Sequence, residues 1–160
     1  AMAESPPKKR CKLTDGSKLS FAVIGDFFVD VQASIPELPK WDADVETKAI
    51  EVLPGGSAAN TARQLHALAA ADGGSALFFG TTGQDLLGTA ALQHLEAQGF
   101  CTTHLRRLPG RPSSACIVLS GKQDRAFVSC YSSVKALTVE HIDQAALKKC
   151  QHVHVGGYLG

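Results

Sequence analysis

Three short apolar runs, each followed by a glycine, limit the fold of this chain more than any other feature. They are residues 21–24, 76–79 and 152–155. Short apolar runs bounded by turn-forming residues are typical of strands that are buried on both faces. Helical patterns separate these runs along the chain, and strands that alternate with helices usually pair in parallel. The sequence therefore predicts an α/β fold with a mainly parallel sheet flanked by helices.

Three helices are predicted from apolar residues at helical spacing behind an N-cap residue. The predicted N-caps are Ser57, Asp85 and Thr138. The first helix is expected to end before Gly73 and the last to continue to Leu147. The residues that the first helix is expected to turn inward are Ala58, Ala62, Leu65, Leu68 and Ala69. Gly80 and Gly83 predict a loop before the second helix.

Further strand-like segments lie outside this alternating pattern. They are residues 27–35, 47–53, 114–119 and 126–131. The last two flank a loop of turn-forming residues, which favours a β-hairpin. We expect the regions at about 27–53 and 114–131 to build a small β structure outside the core.

Charge and hydropathy argue against two classes of partner. Lys plus Arg number 16 and Asp plus Glu 15, so the net charge of +1 gives no bulk attraction for nucleic acid or an anionic membrane. No apolar run approaches the roughly 20 residues that a membrane helix needs. The five cysteines form no C-x-x-C pair or zinc-type grouping, which fits a reducing compartment. We expect a cytoplasmic protein with neither nucleic-acid nor membrane partners, and with no metal site in this chain.

Residues 1–18 differ in composition from the rest of the chain. They contain Pro6, Pro7 and a basic cluster, with Leu13 as the only large aliphatic side chain. So little apolar surface cannot offset the entropy lost on ordering. We expect a disordered basic tail followed by a domain over residues 19–160. The tail segment Lys9-Arg10-Cys11-Lys12 also fits a short nuclear-import pattern.

Two carboxylates follow the first apolar run. Asp26 and Asp30 lie in the segment Gly25-Asp26-Phe27-Phe28-Val29-Asp30, at the predicted carboxyl end of a buried strand. Open α/β sheets place their ligand crevice at such strand ends. Asp30 could accept hydrogen bonds from substrate hydroxyls there. The alternative is that either carboxylate only caps a turn.

A glycine-rich segment, Gly55-Gly56-Ser57-Ala58-Ala59-Asn60, opens the first predicted helix. The two glycines allow the backbone to approach a ligand closely, and the amide of Asn60 offers both a donor and an acceptor to a polyol. The segment matches neither G-x-G-x-x-G nor a P-loop, so phosphate binding is weakly supported. A simple turn with a helix cap is the alternative.

Three motifs in this order resemble the amino-terminal signature of PfkB-type, or ribokinase-like, carbohydrate kinases. They are the Gly-Asp strand end with the later Asp30, residues 55–62 (GGSAANTA) and residues 78–88 (FFGTTGQDLLG). The resemblance covers residues 20–160 and implies a ribokinase-like fold in which the small β structure is a lid over a sugar site. It implies substrate-binding roles for Asp30, Gly55, Gly56, Ser57 and Asn60.

The resemblance also implies an activity, the transfer of the γ-phosphate of ATP, with Mg²⁺, to a hydroxyl of a sugar or nucleoside. The family's second signature, Asp-Thr-x-Gly-Ala-Gly-Asp, supplies the general base and an anion hole, and it does not occur in these 160 residues. We therefore assign no catalytic residue here and expect the sugar-binding amino-terminal half, without the carboxy-terminal half, to be inactive alone. The alternative is a non-catalytic sugar-binding or regulatory protein. The resemblance further implies a homodimer through the lid strands.

Overall fold

The computed structural model describes residues 19–122 and 124–157, which form eight strands and three α-helices. In chain order these are β1 Ser20–Gly25, β2 Phe28–Ser34, β3 Ile50–Gly55, α1 Ser57–Ala70, β4 Ser75–Gly83, α2 Leu86–Ala97, β5 Leu105–Leu108, β6 Ala115–Ser120, β7 Arg125–Cys130, α3 Gln144–Leu147 and β8 His152–Gly156. The predicted tail over residues 1–18 lies outside the described residues.

The first sheet has four parallel strands in the order β5-β4-β1-β8. The apolar runs of β1 and β4 are continuous because both faces of these two strands are covered. The prediction that residues 152–155 are also buried is wrong, because β8 lies at the sheet edge and Val155 is 72% exposed. Val23 and Phe78 lie in a core that includes side chains of α1 and α2. Ala22 belongs to a second cluster that packs against residues 142–150. This architecture confirms the predicted α/β fold with a parallel sheet flanked by helices.

The second sheet also has four strands, in the order β3-β2-β6-β7. β2 pairs with β3 antiparallel and with β6 parallel, and β6 and β7 form the predicted antiparallel hairpin. Successive residues of a strand point to opposite faces, so the two faces differ in chemistry. One in-register row, on the first face, is wholly apolar: Val52, Val31, Ile117 and Val128. The adjacent row, on the opposite face, carries a carboxylate: Leu53, Asp30, Cys116 and Ser129.

Two details of the first helix were predicted wrongly. The N-cap of α1 is Gly56, whose φ of +100° turns the chain, and Ser57 is already the first helical residue. The capping oxygens come instead from Asp26, which follows β1. Leu68 is 71% exposed rather than turned inward.

The predicted loop at residues 80–83 is also wrong, because β4 continues through Gly83 and pairs there with β5. The two threonines in this stretch are buried with their hydroxyls bonded. Thr81 donates to the Ser133 carbonyl at 2.7 Å, and Thr82 shares a hydrogen bond with the Ser113 hydroxyl at 3.1 Å. Polar residues that predict a loop locally are therefore satisfied by distant segments.

The helix predicted from Thr138 to Leu147 is interrupted. Thr138 caps a 3₁₀ turn over Val139–His141, and Ile142 then adopts an extended conformation. A short helix, α3, begins after Asp143, whose carboxylate accepts a hydrogen bond from the Ala146 amide at 3.0 Å. A second cap within the segment explains the break, since it starts a new helix instead of continuing the first.

Asp85 caps α2, as predicted, and also joins it to the segment before β6. Its carboxylate accepts hydrogen bonds from the Gly88 amide at 2.9 Å, the Ser113 amide at 2.7 Å and the Ser113 hydroxyl at 2.6 Å. Burial tends to raise the pKa of this carboxyl, but the hydrogen bonds from Ser113 and Gly88 outweigh burial and hold the pKa below its ordinary value.

We expect Asp85→Asn to lower the free energy of unfolding at neutral pH by about 1–3 kcal/mol, because an amide nitrogen then faces N–H groups. A carboxyl with a lowered folded pKa stabilises the fold above its unfolded pKa of about 3.9, and this contribution is lost as the pH falls through the folded value. The difference between parent and variant should therefore shrink in acid. Urea unfolding at neutral pH and near about pH 3 measures it. Equal stability at neutral pH would contradict the anchoring role.

Candidate functional site

The carboxylate of Asp26 lies at the carboxyl end of β1 and is 7% exposed. Its Oδ2 accepts a hydrogen bond from the Ser57 amide at 2.8 Å, and its Oδ1 accepts from the Ala58 amide at 2.7 Å and the Ser57 hydroxyl at 3.2 Å. The Asp26 carbonyl accepts from the Ala59 amide, and the Gly56 carbonyl from the Asn60 amide. The first four amides of α1 are thus bonded within the chain, so this helix start offers no free donors to a phosphate.

Asp30 has a different environment from Asp26, although it lies only four residues later in the chain. Its side chain is half-buried on β2, and among the described residues no hydrogen bond reaches its carboxylate. Burial raises the pKa of Asp30 above its ordinary value. The alternative of a capping carboxylate therefore applies to Asp26. Asp30 caps nothing among the described residues, and its carboxylate can still accept hydrogen bonds.

The two glycines of the glycine-rich segment have separate structural roles. A Cβ at Gly55 would collide with the Asp30 carboxylate, so glycine is what lets this carboxylate lie against the β3 backbone. Gly56 has a φ of +100°, and a Cβ there would lie 2.7 Å from the Asp26 carbonyl oxygen. Gly55 makes room for the carboxylate, and Gly56 turns the chain into α1.

Asn60 is exposed on the first turn of α1. Its Oδ1 accepts a hydrogen bond from Arg63 Nη1 at 3.2 Å, and Arg63 Nη2 donates to Gln98 Oε1 at 2.9 Å. Within the described part of the chain, the Asn60 amide nitrogen has no hydrogen-bond acceptor. Of the predicted site residues, Asp30 and Gly55 lie together and Gly56 and Ser57 lie against Asp26, whereas Asn60 presents a free donor beside them on the same helix start.

An aromatic pair flanks Asp30, and the sequence analysis missed it. Phe28 shares the face of Asp30 because the two residues are alternate positions of β2. Its ring meets the Tyr131 ring edge-on at a centroid distance of 5.3 Å, and Lys135 Nζ lies 5.8 Å from the centre of the Tyr131 ring. Tyr131 is far along the chain, and only the pairing of β2, β6 and β7 brings it here. No local pattern could have predicted this contact.

Two cavities lie on either side of this region, and Asp30 is in the lining of neither. One of about 250 Å³ lies at the carboxyl ends of β1 and β8, with Asp26 and Lys135 in its lining. Another of about 550 Å³ lies at the far end of the second sheet, where Gln32 and Thr47 contribute to its lining.

Two features of the described residues bear on metal and phosphate binding. Within residues 19–122 and 124–157, no three His, Cys, Asp or Glu side chains are grouped to hold a metal ion. The amides at the start of α1 are already bonded.

Among the residues that the structure describes, no helix is both long enough and apolar enough to cross a membrane.

Comparison with known proteins identifies relatives of about twice this length. The chain is 30% identical over 136 residues to the deoxyribokinases of Salmonella typhi and Salmonella typhimurium, which is 83% of this chain and 43% of theirs. Ribokinase from Thermotoga maritima superimposes with a TM-score of 0.70 at 19% identity, over 84% of this chain and 44% of that one. Arabidopsis thaliana ribokinase, solved with ribose and ATP, gives 0.68 at 20% identity, over 86% and 45%.

The pfkB family of carbohydrate kinases matches residues 18–160. This match covers every described element, from β1 to β8. It confirms the resemblance carried by the three sequence motifs. The chain belongs to the pfkB family of carbohydrate kinases.

Proposed function

We propose that this protein transfers the γ-phosphate of ATP, with Mg²⁺, to a hydroxyl of a sugar or nucleoside, and that residues 19–157 contribute its sugar site. The observation that carries the proposal is the Asp30 carboxylate, which is half-buried and receives no hydrogen bond from a described residue. Burying a carboxylate without donors is unfavourable. Sugar hydroxyls are donors that would satisfy it through charge-assisted hydrogen bonds.

The surroundings of Asp30 also suit a polyol. The Asn60 amide nitrogen is a free donor, and the Phe28–Tyr131 pair offers an apolar surface to the C–H groups of a sugar ring. Small-molecule sites typically combine such apolar walls with a few polar groups. Similarity to deoxyribokinases and to a ribokinase that binds ribose makes a pentose the first substrate to test, before hexoses and nucleosides.

The role of this chain in such a reaction is to bind and orient the acceptor. Phosphoryl transfer depends on positioning and on charge stabilisation. Asp30 would hold the sugar hydroxyls, and the second sheet would act as a lid that keeps water out. ATP would supply the phosphoryl group and Mg²⁺ the neutralising charge. Since these 160 residues lack the family's second signature, with its general base and anion hole, we propose that the 160-residue chain alone binds sugar without turnover.

Asp30→Ala and Asn60→Ala should each weaken sugar binding by the full-length protein by about 1–3 kcal/mol, because each leaves a sugar hydroxyl without its partner. A coupled phosphotransferase assay gives the sugar KM, and calorimetry gives the affinity. Gln64→Ala, one turn along the exposed surface of α1, is the control for Asn60. Unchanged sugar affinity in both variants would remove these residues from the site. Sugar binding without turnover by the full-length parent would favour the non-catalytic binding protein.

Asp30→Asn should show whether the Asp30 carboxylate stabilises the fold or is needed only for sugar binding. Because the folded pKa of Asp30 is raised, protonation stabilises the fold fully below the unfolded pKa of about 3.9, and this stabilisation is lost as the pH rises through the folded value. At neutral pH the charged parent should therefore melt no higher than the variant, and the two should converge in acid. Thermal melts across this pH range measure the difference. A variant that melts lower at neutral pH would mean that Asp30 is a structural acceptor.

We also propose a homodimer through the apolar face of the second sheet. On this face Ile117 is 46% exposed and Val128 is 64% exposed, and their row across the four strands has no polar residue.

Val128→Asp should convert a dimer into a monomer, because the new charge would be buried at the interface. Phe127→Asp is the control, since Phe127 is similarly exposed, at 58%, on the opposite face. Size-exclusion chromatography with light scattering measures the mass. A monomeric parent would contradict the proposal.

A further inference from the structure

The Asp26 carboxylate connects three parts of the chain. It follows β1, it bonds the first turn of α1, and it lies so close to Gly157, just after β8, that a Cβ at that position would collide with it. Both of its oxygens are engaged by protein donors, and the residue is 7% exposed. Three hydrogen bonds from the start of α1 therefore occupy this buried carboxylate, so its main contacts are with the segments that it holds.

The segment that Asp26 holds begins next to Asp30. Ser57 and Ala58 donate to Asp26, and two residues before Ser57 stands Gly55, whose backbone lies against the Asp30 carboxylate. The intervening Gly56 packs onto the Asp26 carbonyl. The β2–β3 pairing holds Gly55 opposite Phe28, and the hydrogen bonds at Asp26 hold the helix start that follows directly after Gly55 and Gly56.

We propose that Asp26 is a positioning residue of the sugar site, which fixes the first turn of α1 relative to Asp30 without touching the sugar. The inference builds on the proposed function and extends it to a residue outside the predicted binding set. Loss of the Asp26 hydrogen bonds would let the start of α1 move, and Asn60 would move with it. The sugar would then lose correctly placed partners while the phosphate donor would not.

The chain contains a matched control. Asp85 also accepts three hydrogen bonds through its carboxylate, two from amides and one from a serine hydroxyl, at the start of α2. Asp26 accepts the same set at the start of α1. Asp85 bonds Ser113 and Gly88, neither of which contacts Asp30 among the described residues. The two aspartates therefore cap their helices with the same kind of hydrogen bonds, and only Asp26 does so at the helix start that carries Asn60.

The test compares Asp26→Asn with Asp85→Asn in the full-length protein. Asparagine keeps the volume and one acceptor oxygen, so both variants should fold, with similar losses in melting temperature. Asp26→Asn should raise the sugar KM about tenfold while kcat and the KM for ATP stay within about threefold, and Asp85→Asn should leave all three within about threefold. An unchanged sugar KM in Asp26→Asn, or an equal rise in both variants, would overturn the inference.

Amide hydrogen exchange on the same variants separates this inference from the proposed function. The Ser57 and Ala58 amides should exchange faster in Asp26→Asn than in the parent or in Asp85→Asn. A parent that neither binds nor phosphorylates any sugar would contradict the proposed function, and the exchange rates would still show whether Asp26 holds the helix start. Exchange at Ser57 and Ala58 that is unchanged in Asp26→Asn would overturn the positioning role whatever the activity.

Discussion

The hydrogen bonds between the Asp26 carboxylate and the first turn of α1 are the interaction on which the candidate site depends. β2 begins two residues after Asp26, and β3 ends two residues before Ser57. The contact therefore closes the base of the antiparallel β2–β3 pair and fixes the second sheet to the end of β1. It also gives an acceptor to helix amides that would otherwise lack one. The negative charge of Asp26 lies at the positive end of the helix dipole, which is favourable.

Three other aspartates of this fold lie where backbone amides need an acceptor. Asp26, Asp85 and Asp143 each accept at least one backbone amide at the start of a helix. Asp30 lies on a strand whose amides and carbonyls are used in sheet pairing, and no described residue donates to its side chain. A half-buried carboxylate that is not needed for the fold is destabilising unless a ligand satisfies it. This contrast separates the candidate binding residue from the structural ones.

Much of the fold could be predicted because its signals are local. The apolar runs of β1 and β8, the Asp85 cap and the β6–β7 hairpin are each contained within a few residues. The errors arise where partners are distant. Ser57 was expected to cap α1, but the oxygens come from a residue 31 positions earlier. The loop expected at Gly80 and Gly83 is a strand because the buried threonines between them find partners in later segments. For the candidate site, Asp30 and Gly55 lie together, but the contact of Tyr131 with Phe28 depends on sheet pairing that no motif encodes.

We propose that the Asp30 carboxylate is left open to accept a hydrogen bond from a sugar hydroxyl. A crystal structure of the full-length protein with a bound pentose tests this claim most directly. We expect a sugar hydroxyl at about 2.5–3.0 Å from an Asp30 carboxylate oxygen, with the ring between the second sheet and the start of α1. A pentose bound elsewhere, with the Asp30 carboxylate bonded to a protein donor, would contradict it.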